Sequence, residues 1–507
     1  MLTFAVYNNG KPADRLNLAG AYVVGSDDVP IRAELSFKGG ILSCKKRSAG
    51  PAGLVLLWPL PGLGTMLHET VRLLERSKPY NIVLELARGR LMRINQKLED
   101  WGMLHHEGSS AILQKMGEAR ESLISALQAD TASQAAELGE RALIQAVQAS
   151  ESLTQTHAEA LLHRRKQSGA VPKRVLGCTL PVNSPIEAVQ KRLSGTFDFV
   201  TVPFIWRDIE PKEQTFHWKP IDAWVETLAK MRMPMHGSTL LSFHERNVPD
   251  WLYTWENDFD TLRDLAFEHA RRVINRYGQY IQTWEVISGI HAPHCFAFNF
   301  EQLMELTRMT AALAKQASPR STVIVDLVAP WGEYYARNQR TIPPLLYADM
   351  VAQSGVHFDA IGLRFFFGPG VDGMFVRDMF QISSQIDQFA KMGKPVHITA
   401  VQVPSDMTSP SSSSDSEGVR LDGGTWHDAW SEDIQAQWLS RFLEIAMSKP
   451  FVDSVSWHDL SDHPRLIVPH GGLLRSDHAP KAAYQRLAKF RSEVLGGARR
   501  NEPSATG

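Results

Sequence analysis

The feature that most constrains the fold is an alternation of apolar strands and helical segments, which repeats eight times between residues 174 and 495. The helical segments carry apolar residues at intervals of three and four, as in 261–277 and 300–317. The strands are expected at Arg174–Thr179, Asp198–Pro203, Met235–Leu241, Ile281–Ile287, Thr322–Val328, Asp359–Arg364, Pro395–Ala400 and Asp453–Trp457. Strands that alternate with helices pair in parallel, and eight of them predict a closed (β/α)8 TIM barrel in the α/β class.

Two further units are expected before the barrel. Residues 1–106 carry short β-type runs and then helical spacing, which predicts a small α+β domain. Residues 107–168 contain no proline and carry leucines at near-helical intervals, with a break near Asp130, which predicts a helical hairpin. The barrel is therefore assigned to residues 173–495, and the small, polar residues 496–507 are assigned to a disordered tail.

The roles of the two N-terminal units stay open. The α+β domain is interpreted as a structural or interface domain, with a carbohydrate-binding module as the alternative. The hairpin of residues 107–168 either packs against its neighbours or uses an exposed apolar stripe to form a homodimer or bind a protein partner.

Composition argues against several classes of function. A net charge of -1 gives no electrostatic reason to expect a nucleic acid or a membrane as a partner. The three cysteines lie far apart and form no metal-type pair, and no pattern indicates a cofactor. The first residues lack the basic and apolar regions of a signal peptide, so a cytoplasmic location is expected.

Two predicted strands carry a more specific signal. Residues 281–289 have the sequence IQTWEVISG, and residues 395–400 have the sequence PVHITA. The first resembles the Trp-Asp-Val-Val-Asn-Glu strand of glycoside hydrolase family 10, the xylanase-type barrels, whose final Glu is the acid/base. The second resembles that family's Ile-Thr-Glu strand, whose Glu is the nucleophile. The resemblance therefore implies a divergent member in which Gly289 and Ala400 occupy both catalytic positions.

The resemblance extends along the predicted barrel. Residues 201–218 match the Trp, acidic-Pro and Phe elements that follow the family's second strand, and GSTLLSFH at 237–244 resembles its Gly-His-Thr-Leu-Val-Trp-His segment. The polar sugar contacts differ, because Ser238 stands at a family His, Arg364 at a Gln and Phe366 at another His.

These departures matter because a retaining glycosidase needs two carboxyl groups about 5–5.5 Å apart. Glycine and alanine supply none, and Gln402, at a family Asp, is an amide that cannot act as the nucleophile. Glu285 lies four residues before Gly289, roughly 13 Å deeper along a strand, and is expected to be a buried, hydrogen-bonded acid. Any surviving hydrolysis would draw on a carboxylate pair among Asp326, Asp459, Glu245 and Glu432.

Candidate sugar contacts follow from the same comparison. Trp206 and Trp457 match family positions and could stack on the apolar face of a sugar ring. The polar candidates at strand ends are Arg364, Ser238, His291 and Gln402. His397 is expected on the outer face of its strand, opposite Ala400, and no metal site is predicted.

Three functions remain open. The resemblance, without its two glutamates, implies a barrel that binds a β-linked oligosaccharide or polysaccharide fragment without cutting it. The replaced polar set instead suits an active hydrolase or lyase with a rebuilt site on a different sugar, and Arg364 could pair with an acidic one. The third possibility is a scaffold with no sugar ligand.

Overall fold

The structure is a computed structural model that describes residues 1–8, 10–170, 174–408 and 419–495. The predicted tail, residues 496–507, lies outside the described residues. Within the described ranges, no helix combines the length and the apolar character needed to cross a membrane.

The chain begins with two small sheets and a helix, here called the N-terminal unit. Its strands are β1 Leu2–Ala5, β2 Tyr7–Asn8, β3 Lys11–Pro12, β4 Tyr22–Val24, β5 Pro30–Ile31, β6 Ala33–Lys38, β7 Ile41–Lys46, β8 Gly53–Leu60, β9 Gly64–Glu69 and β10 Tyr80–Asn81. Strands β10, β1, β7 and β6 form one sheet, and β9, β8, β4 and β5 belong to the other. Helix α1, Ile82–Asp100, follows them with its apolar residues buried.

Two long helices come next: α2, Ser110–Gln128, and α3, Ala132–Gln167. Helix α3 packs along α1 and α2, and its first turn is capped by the Thr131 side chain. On α2, Leu113, Ile124 and Leu127 stay 40%, 47% and 57% exposed. A homodimer or protein partner on this surface stays a prediction.

The predicted barrel is confirmed. Eight parallel strands close on themselves in chain order. They are β11 Leu176–Thr179, β12 Phe199–Pro203, β13 Met235–Ser238, β14 Ile281–Ser288, β15 Thr322–Leu327, β16 Ala360–Phe366, β17 Val396–Gln402 and β19 Val452–Trp457. All eight expected strands are present, with ends that coincide with the expected ones or differ by at most three residues.

The barrel helices lie between these strands. They are α4 Ile186–Leu193, α5 Trp206–Ile209, α6 Lys219–Lys230, α7 Phe259–Tyr277, α8 Phe300–Ala317, α9 Pro344–Gln353, α10 Met379–Ala390, α11 Glu432–Ser448 and α12 Ala482–Phe490. Side-chain caps fix several of their first turns, and Asn299 and Asp378 each form a capping box. Short 3-10 helices are present at Glu107–Ser109, Asp250–Trp255 and Glu333–Ala336, and a π-helical turn lies at Arg491–Leu495.

Register shifts change which side chains of β17 enter the barrel. Its pairing with β16 shifts so that Leu363 faces Ile398 while Arg364 faces Ala400, which leaves Thr399 between them. His397 lines the barrel interior, with Nδ1 2.7 Å from the Ser454 Oγ. The expectation that His397 faces outward was wrong, because it extrapolated strict alternation from Ala400 through an irregular strand.

The N-terminal unit is bound to the barrel by backbone pairing and by buried charge. Strand β18, Thr425–Trp426, lies between β17 and α11 but pairs antiparallel with β9. The Arg90 guanidinium is buried and donates to the Asp378 carboxylate at the start of α10. The mouth of the barrel, where its strands end, therefore lies beside this unit.

Candidate functional site

Seven polar side chains from five neighbouring strands meet where the barrel opens at its C-terminal end. We call this group the Arg364 cluster, and it consists of Ser238, Thr239, Glu285, Ser288, Asp326, Arg364 and Thr399. Parallel strands bring their carboxyl ends to one rim, which is why residues so far apart in sequence converge here.

The Arg364 guanidinium sits at the centre of the cluster. Its Nη2 donates to Glu285 Oε2 at 2.7 Å, Thr239 Oγ1 at 3.1 Å and Ser238 Oγ at 3.2 Å. Its Nε donates to Asp326 Oδ2. One cation therefore bridges two carboxylates, whose side chains are 3% and 0% exposed.

Hydroxyl groups complete the shell around the acids. Ser288 Oγ donates to Asp326 Oδ2 at 2.5 Å, and Thr399 Oγ1 donates to Asp326 Oδ1. Ser238 Oγ donates to Glu285 Oε2 at 2.6 Å. Gly362 makes room for this arrangement, because a Cβ there would collide with Asp326 Oδ1. The acids are held by hydrogen bonds as well as by charge, so the cluster is preorganised.

The environment of Glu285 alters its proton affinity. Burial raises the pKa of Glu285 to about 7, and the negative charge of Asp326 adds to the rise, while the Arg364 guanidinium opposes it. Glu285 therefore holds its proton more tightly than an ordinary glutamate does.

This difference predicts a pH dependence of stability. The pKa of Glu285 is higher in the folded chain than its ordinary value, so the folded state binds this proton more tightly than the unfolded state. The resulting contribution to stability is fully present below about pH 4 and is lost as the pH rises through about 7. We expect Glu285→Gln to flatten this decline, measured by urea unfolding at a series of pH values. Identical pH profiles for the variant and the unchanged protein would contradict the assignment.

At the end of β14, Gly289 adopts a left-handed conformation with a φ of 67°. A Cβ at this position would lie 3.1 Å from the Val328 Cγ2. Its N–H donates to the Asp326 carbonyl at 3.2 Å. The backbone here is shaped for glycine, and a larger residue would be strained.

Ala400 on β17 lies in an apolar environment. It is 1% exposed and packs with Phe366 and Val468, and the partly buried Met374 and Ile467 pack against this cluster. We call Phe366, Val468, Met374 and Ile467 the apolar plug. Hydrocarbon fills the space over Ala400, so no polar ligand group can approach this position without moving the plug.

A second polar group follows β19. Asp459, with a φ of 54°, lies 3.2 Å from His458 Nε2 and 3.5 Å from His463 Nε2. Burial raises the pKa of Asp459, but the two histidines outweigh it and hold the pKa below its usual value. Among the residues that the structure describes, no three His, Cys, Asp or Glu side chains are grouped as a metal ion would need.

Comparison with known proteins decides the family. Residues 183–490 match the sequence model of Glycosyl hydrolase family 10, which is more than half of the chain. The chain belongs to glycosyl hydrolase family 10. An endo-1,4-beta-xylanase B from Thermotoga neapolitana is 21% identical over 304 residues, which cover 57% of this chain and 79% of that protein. The native xylanase 10B structure from Thermotoga maritima aligns with a TM-score of 0.48 at 16% identity, over 65% of this chain and 98% of that one.

In this family 10 barrel, the two predicted stacking platforms are packed inside the protein. Trp206 is 4% exposed, and its ring stacks on His269 with centroids 4.5 Å apart. Trp457 is 1% exposed and donates from Nε1 to the Gly471 carbonyl at 2.9 Å. A platform role for either ring stays a prediction, and it would require the covering residues to move.

Two of the predicted polar contacts are engaged with the backbone. Gln402 donates from Nε2 to the His458 carbonyl at 2.8 Å and accepts from the Val468 N–H at 3.3 Å. His291 is fully buried and accepts from the Val328 N–H on Nε2 at 3.3 Å, while its Nδ1 lies 2.6 Å from the Tyr334 hydroxyl. Burial lowers its pKa to about 3. Both side chains position mouth loops in this conformation.

The carboxylates proposed for a rebuilt pair do not all come together. Asp326 lies in the Arg364 cluster, and Asp459 lies between its histidines. Glu245 is exposed on the loop after β13. Glu432 begins α11 and forms a two-bond ion pair with Arg475, both bonds at 2.8 Å.

Sequence reasoning missed Thr239, Ser288 and Thr399 as members of the cluster. Thr239 directly follows Ser238, and Ser288 directly precedes Gly289, so each is adjacent to a residue that was singled out. Their hydroxyls are the obvious donors and acceptors at such a rim. Thr399 enters the cluster only because of the shifted register of β17, which leaves no mark in the sequence.

Proposed function

We propose that this family 10 barrel binds a neutral, β-linked, xylan-like saccharide without cleaving it by double displacement. Family membership and the relatives named as xylanases support the ligand class. The proposed absence of cleavage rests on one observation. The Arg364 guanidinium is paired with both buried carboxylates at the mouth, Glu285 and Asp326.

The chemistry follows from that contact. Double displacement needs one carboxylate free to attack the sugar and one carboxyl free to protonate the leaving group. Asp326 accepts from Arg364, Ser288 and Thr399, so its oxygens are already occupied. The positions at which the sequence resemblance expects the two glutamates, 289 and 400, hold a left-handed glycine and an alanine under an apolar plug.

The same contact bears on the type of sugar. An arginine that selects uronates needs positive charge left over for the ligand carboxylate. Arg364 already faces Glu285 and Asp326, so its charge is offset within the protein. A neutral sugar that hydrogen-bonds to the partly exposed rim groups, such as Thr239 and His458, fits this electrostatic balance better.

One observation favours hydrolysis as a second candidate. Burial raises the pKa of Glu285 to about 7, and a carboxyl with a raised pKa is typical of a general acid. The Glu285 and Asp326 side chains are both nearly inaccessible, however, and hydrogen-bonded to the same guanidinium. The geometry therefore favours binding without turnover.

A single panel of xylo-oligosaccharides tests the proposal. Binding is measured by calorimetry, and cleavage is measured on the same samples as released reducing ends. We expect binding with dissociation constants in about the micromolar to millimolar range and no release of reducing ends. Asp326→Asn and Glu285→Gln are compared with Glu432→Gln, which removes charge from an exposed ion pair instead.

Release of reducing ends that Asp326→Asn or Glu285→Gln abolishes, and Glu432→Gln does not, would establish the hydrolase and refute the proposal. If no saccharide in the panel binds, the proposed saccharide binding is refuted, and a scaffold with no sugar ligand is favoured.

A further inference from the structure

We propose that the N-terminal end of the barrel, opposite the Arg364 cluster, carries a binding site for the phosphate group of a small molecule. The site is a surface cavity of about 290 Å³ between the loops that lead into β13 and β14. This volume is close to the lower limit of small-molecule pockets, roughly 300 Å³. Because the cavity and the mouth lie at opposite ends of the strands, the proposal does not depend on saccharide binding.

Two guanidinium groups give the cavity its charge. Arg174 precedes β11 and Arg232 follows α6, and both side chains line the cavity. Neither side chain forms an ion pair or a hydrogen bond with any residue that the structure describes. None of the described residues in the lining is acidic. An anion that enters the cavity would therefore meet two positive charges that no carboxylate in the lining offsets.

Neutral hydrogen-bond donors line the same cavity. The half-buried Tyr280 carries a hydroxyl and the exposed Gln279 carries an amide, and neither group has a hydrogen-bond partner among the described side chains and backbone. Guanidinium, hydroxyl and amide groups all donate to phosphate oxygens, and the planar fork of an arginine can donate to two of them at once. The cavity therefore offers donors of three kinds that remain available to a ligand.

Gln282 fixes the walls of the cavity. Its Oε1 accepts from the Met235 N–H at 2.9 Å, and its Nε2 donates to the Tyr280 carbonyl at 2.7 Å. These two bonds connect the start of β13 with the loop before β14. The walls are formed before any ligand binds, so little ordering is needed on binding.

The backbone at Arg232 is a second observation that points to a ligand. Its φ is 54°, in the left-handed region. The residue lies just beyond α6, where its N–H donates to the Ala229 carbonyl at 3.0 Å and the Met233 N–H donates to the Leu228 carbonyl at 2.9 Å. Glycine is the residue that fits such a helix end, and a side chain there is strained. A strained arginine without a protein partner is typical of a residue kept for binding.

The negative potential around the cavity is smaller than the charge of the two arginines. Helices α6 and α7 end beside it, and each helix C-terminus carries roughly half a negative charge. Asp198, just before β12, accepts from Arg491 Nη2 at 2.6 Å and from the Val175 and Leu176 N–H groups at 3.2 Å each. Its charge is therefore already offset. The balance at the cavity stays positive by roughly one charge, which favours an anion.

Calorimetry with the full-length protein at constant ionic strength tests the site. The probes are inorganic phosphate and glycerol 3-phosphate, and chloride is the control anion. We expect both phosphate probes to bind with dissociation constants of about 0.1–1 mM, and chloride not to bind. Tighter binding of glycerol 3-phosphate would identify a phosphate ester as the preferred ligand, and tighter binding of inorganic phosphate would identify the free anion. No binding of either phosphate probe, or equal binding of chloride, would overturn the proposal.

Substitutions locate the bound phosphate. Arg174→Gln and Arg232→Gln are each expected to weaken phosphate binding at least fivefold, and the double variant should abolish it. Arg320→Gln is the matched control, because Arg320 is an exposed arginine at the same end of the barrel, before β15, that does not line the cavity. It should change binding less than twofold. Circular dichroism checks that the variants fold. Unchanged binding by the folded double variant, or an equal loss in Arg320→Gln, would overturn the proposal.

Arg232→Gly separates ligand binding from support of the fold. Glycine adopts a φ of 54° without strain, so the midpoint of urea unfolding without phosphate should rise, while phosphate binding should weaken at least fivefold. A lower midpoint would show that Arg232 supports the fold instead, and unchanged phosphate binding would show that it does not contact the ligand. Either result would overturn its proposed role.

Discussion

Replacing Arg364 by methionine is expected to lower the free energy of unfolding by about 3–5 kcal/mol, which is typical when one partner of a buried ion pair is removed. Methionine keeps an unbranched apolar stem but removes the charge, so Glu285 and Asp326 lose their common cation in a buried site. Urea unfolding of both proteins at neutral pH measures the difference from the shift of the midpoint at equal slope.

Two controls separate charge from packing in that result. Adding Glu285→Gln and Asp326→Asn to Arg364→Met removes all three charges, and most of the lost stability should return because no buried ion is left unpaired. Arg475→Met breaks the exposed pair with Glu432 and should cost less than about 1 kcal/mol. If the triple variant is no more stable than the single one, the loss comes from the packing of the arginine stem.

The barrel could be predicted because its signal is local and repeated. Each strand, such as β15 or β19, is a short apolar run, and each helix that follows has its own apolar stripe. Strand β18 could not be predicted, since two residues carry no periodicity and its partner β9 lies about 360 residues earlier. The attachment of the mouth to the N-terminal unit was therefore not visible in the sequence.

Some members of the candidate site were predictable from the sequence, but its geometry was not. Ser238, Asp326 and Arg364 were singled out because they lie at strand ends, and the structure does bring them together. Glu285 was expected to be a buried, hydrogen-bonded acid, and its hydrogen bonds to Ser238 and Arg364 agree with this. Glu285 shares the Arg364 guanidinium with Asp326 because the arginine side chain is long and because the register between β14 and β15 shifts. The alternation of residues along a strand does not predict such a shift.

The packing over Ala400 could not be predicted from the sequence for a different reason. Ala400 was identified from its own strand, but the residue that packs over it, Val468, comes from a loop whose path is set by contacts at both of its ends. Loop paths depend on such distant contacts more than on local sequence. The sequence shows an alanine at position 400, whereas only the structure shows which side chains pack over it.

Placing a glutamate at position 400, where the sequence resemblance expects the family's nucleophile, tests how firmly this site is packed. Ala400→Glu is expected to lower the free energy of unfolding by about 3–5 kcal/mol, because it forces a larger side chain into a packed site and buries a carboxyl without a donor. Ala400→Met adds similar bulk without the carboxyl and should cost about 1–3 kcal/mol. The difference between the two variants, measured by urea unfolding, isolates the carboxyl group.

The double variant Gly289→Glu, Ala400→Glu extends the test to activity, and we expect it to release no reducing ends from xylan. A glutamate at position 289 must adopt a φ of 67°, which costs a non-glycine residue about 1–2 kcal/mol, and its Cβ would press on Val328. The carboxylate at position 400 would lie beneath Phe366 and Val468. Hydrolysis by a folded double variant would mean that the plug opens readily and that two substitutions separate this barrel from an active enzyme. Its absence, with saccharide binding retained, would mean that backbone shape at position 289 and packing at position 400 prevent two added carboxyls from supporting hydrolysis.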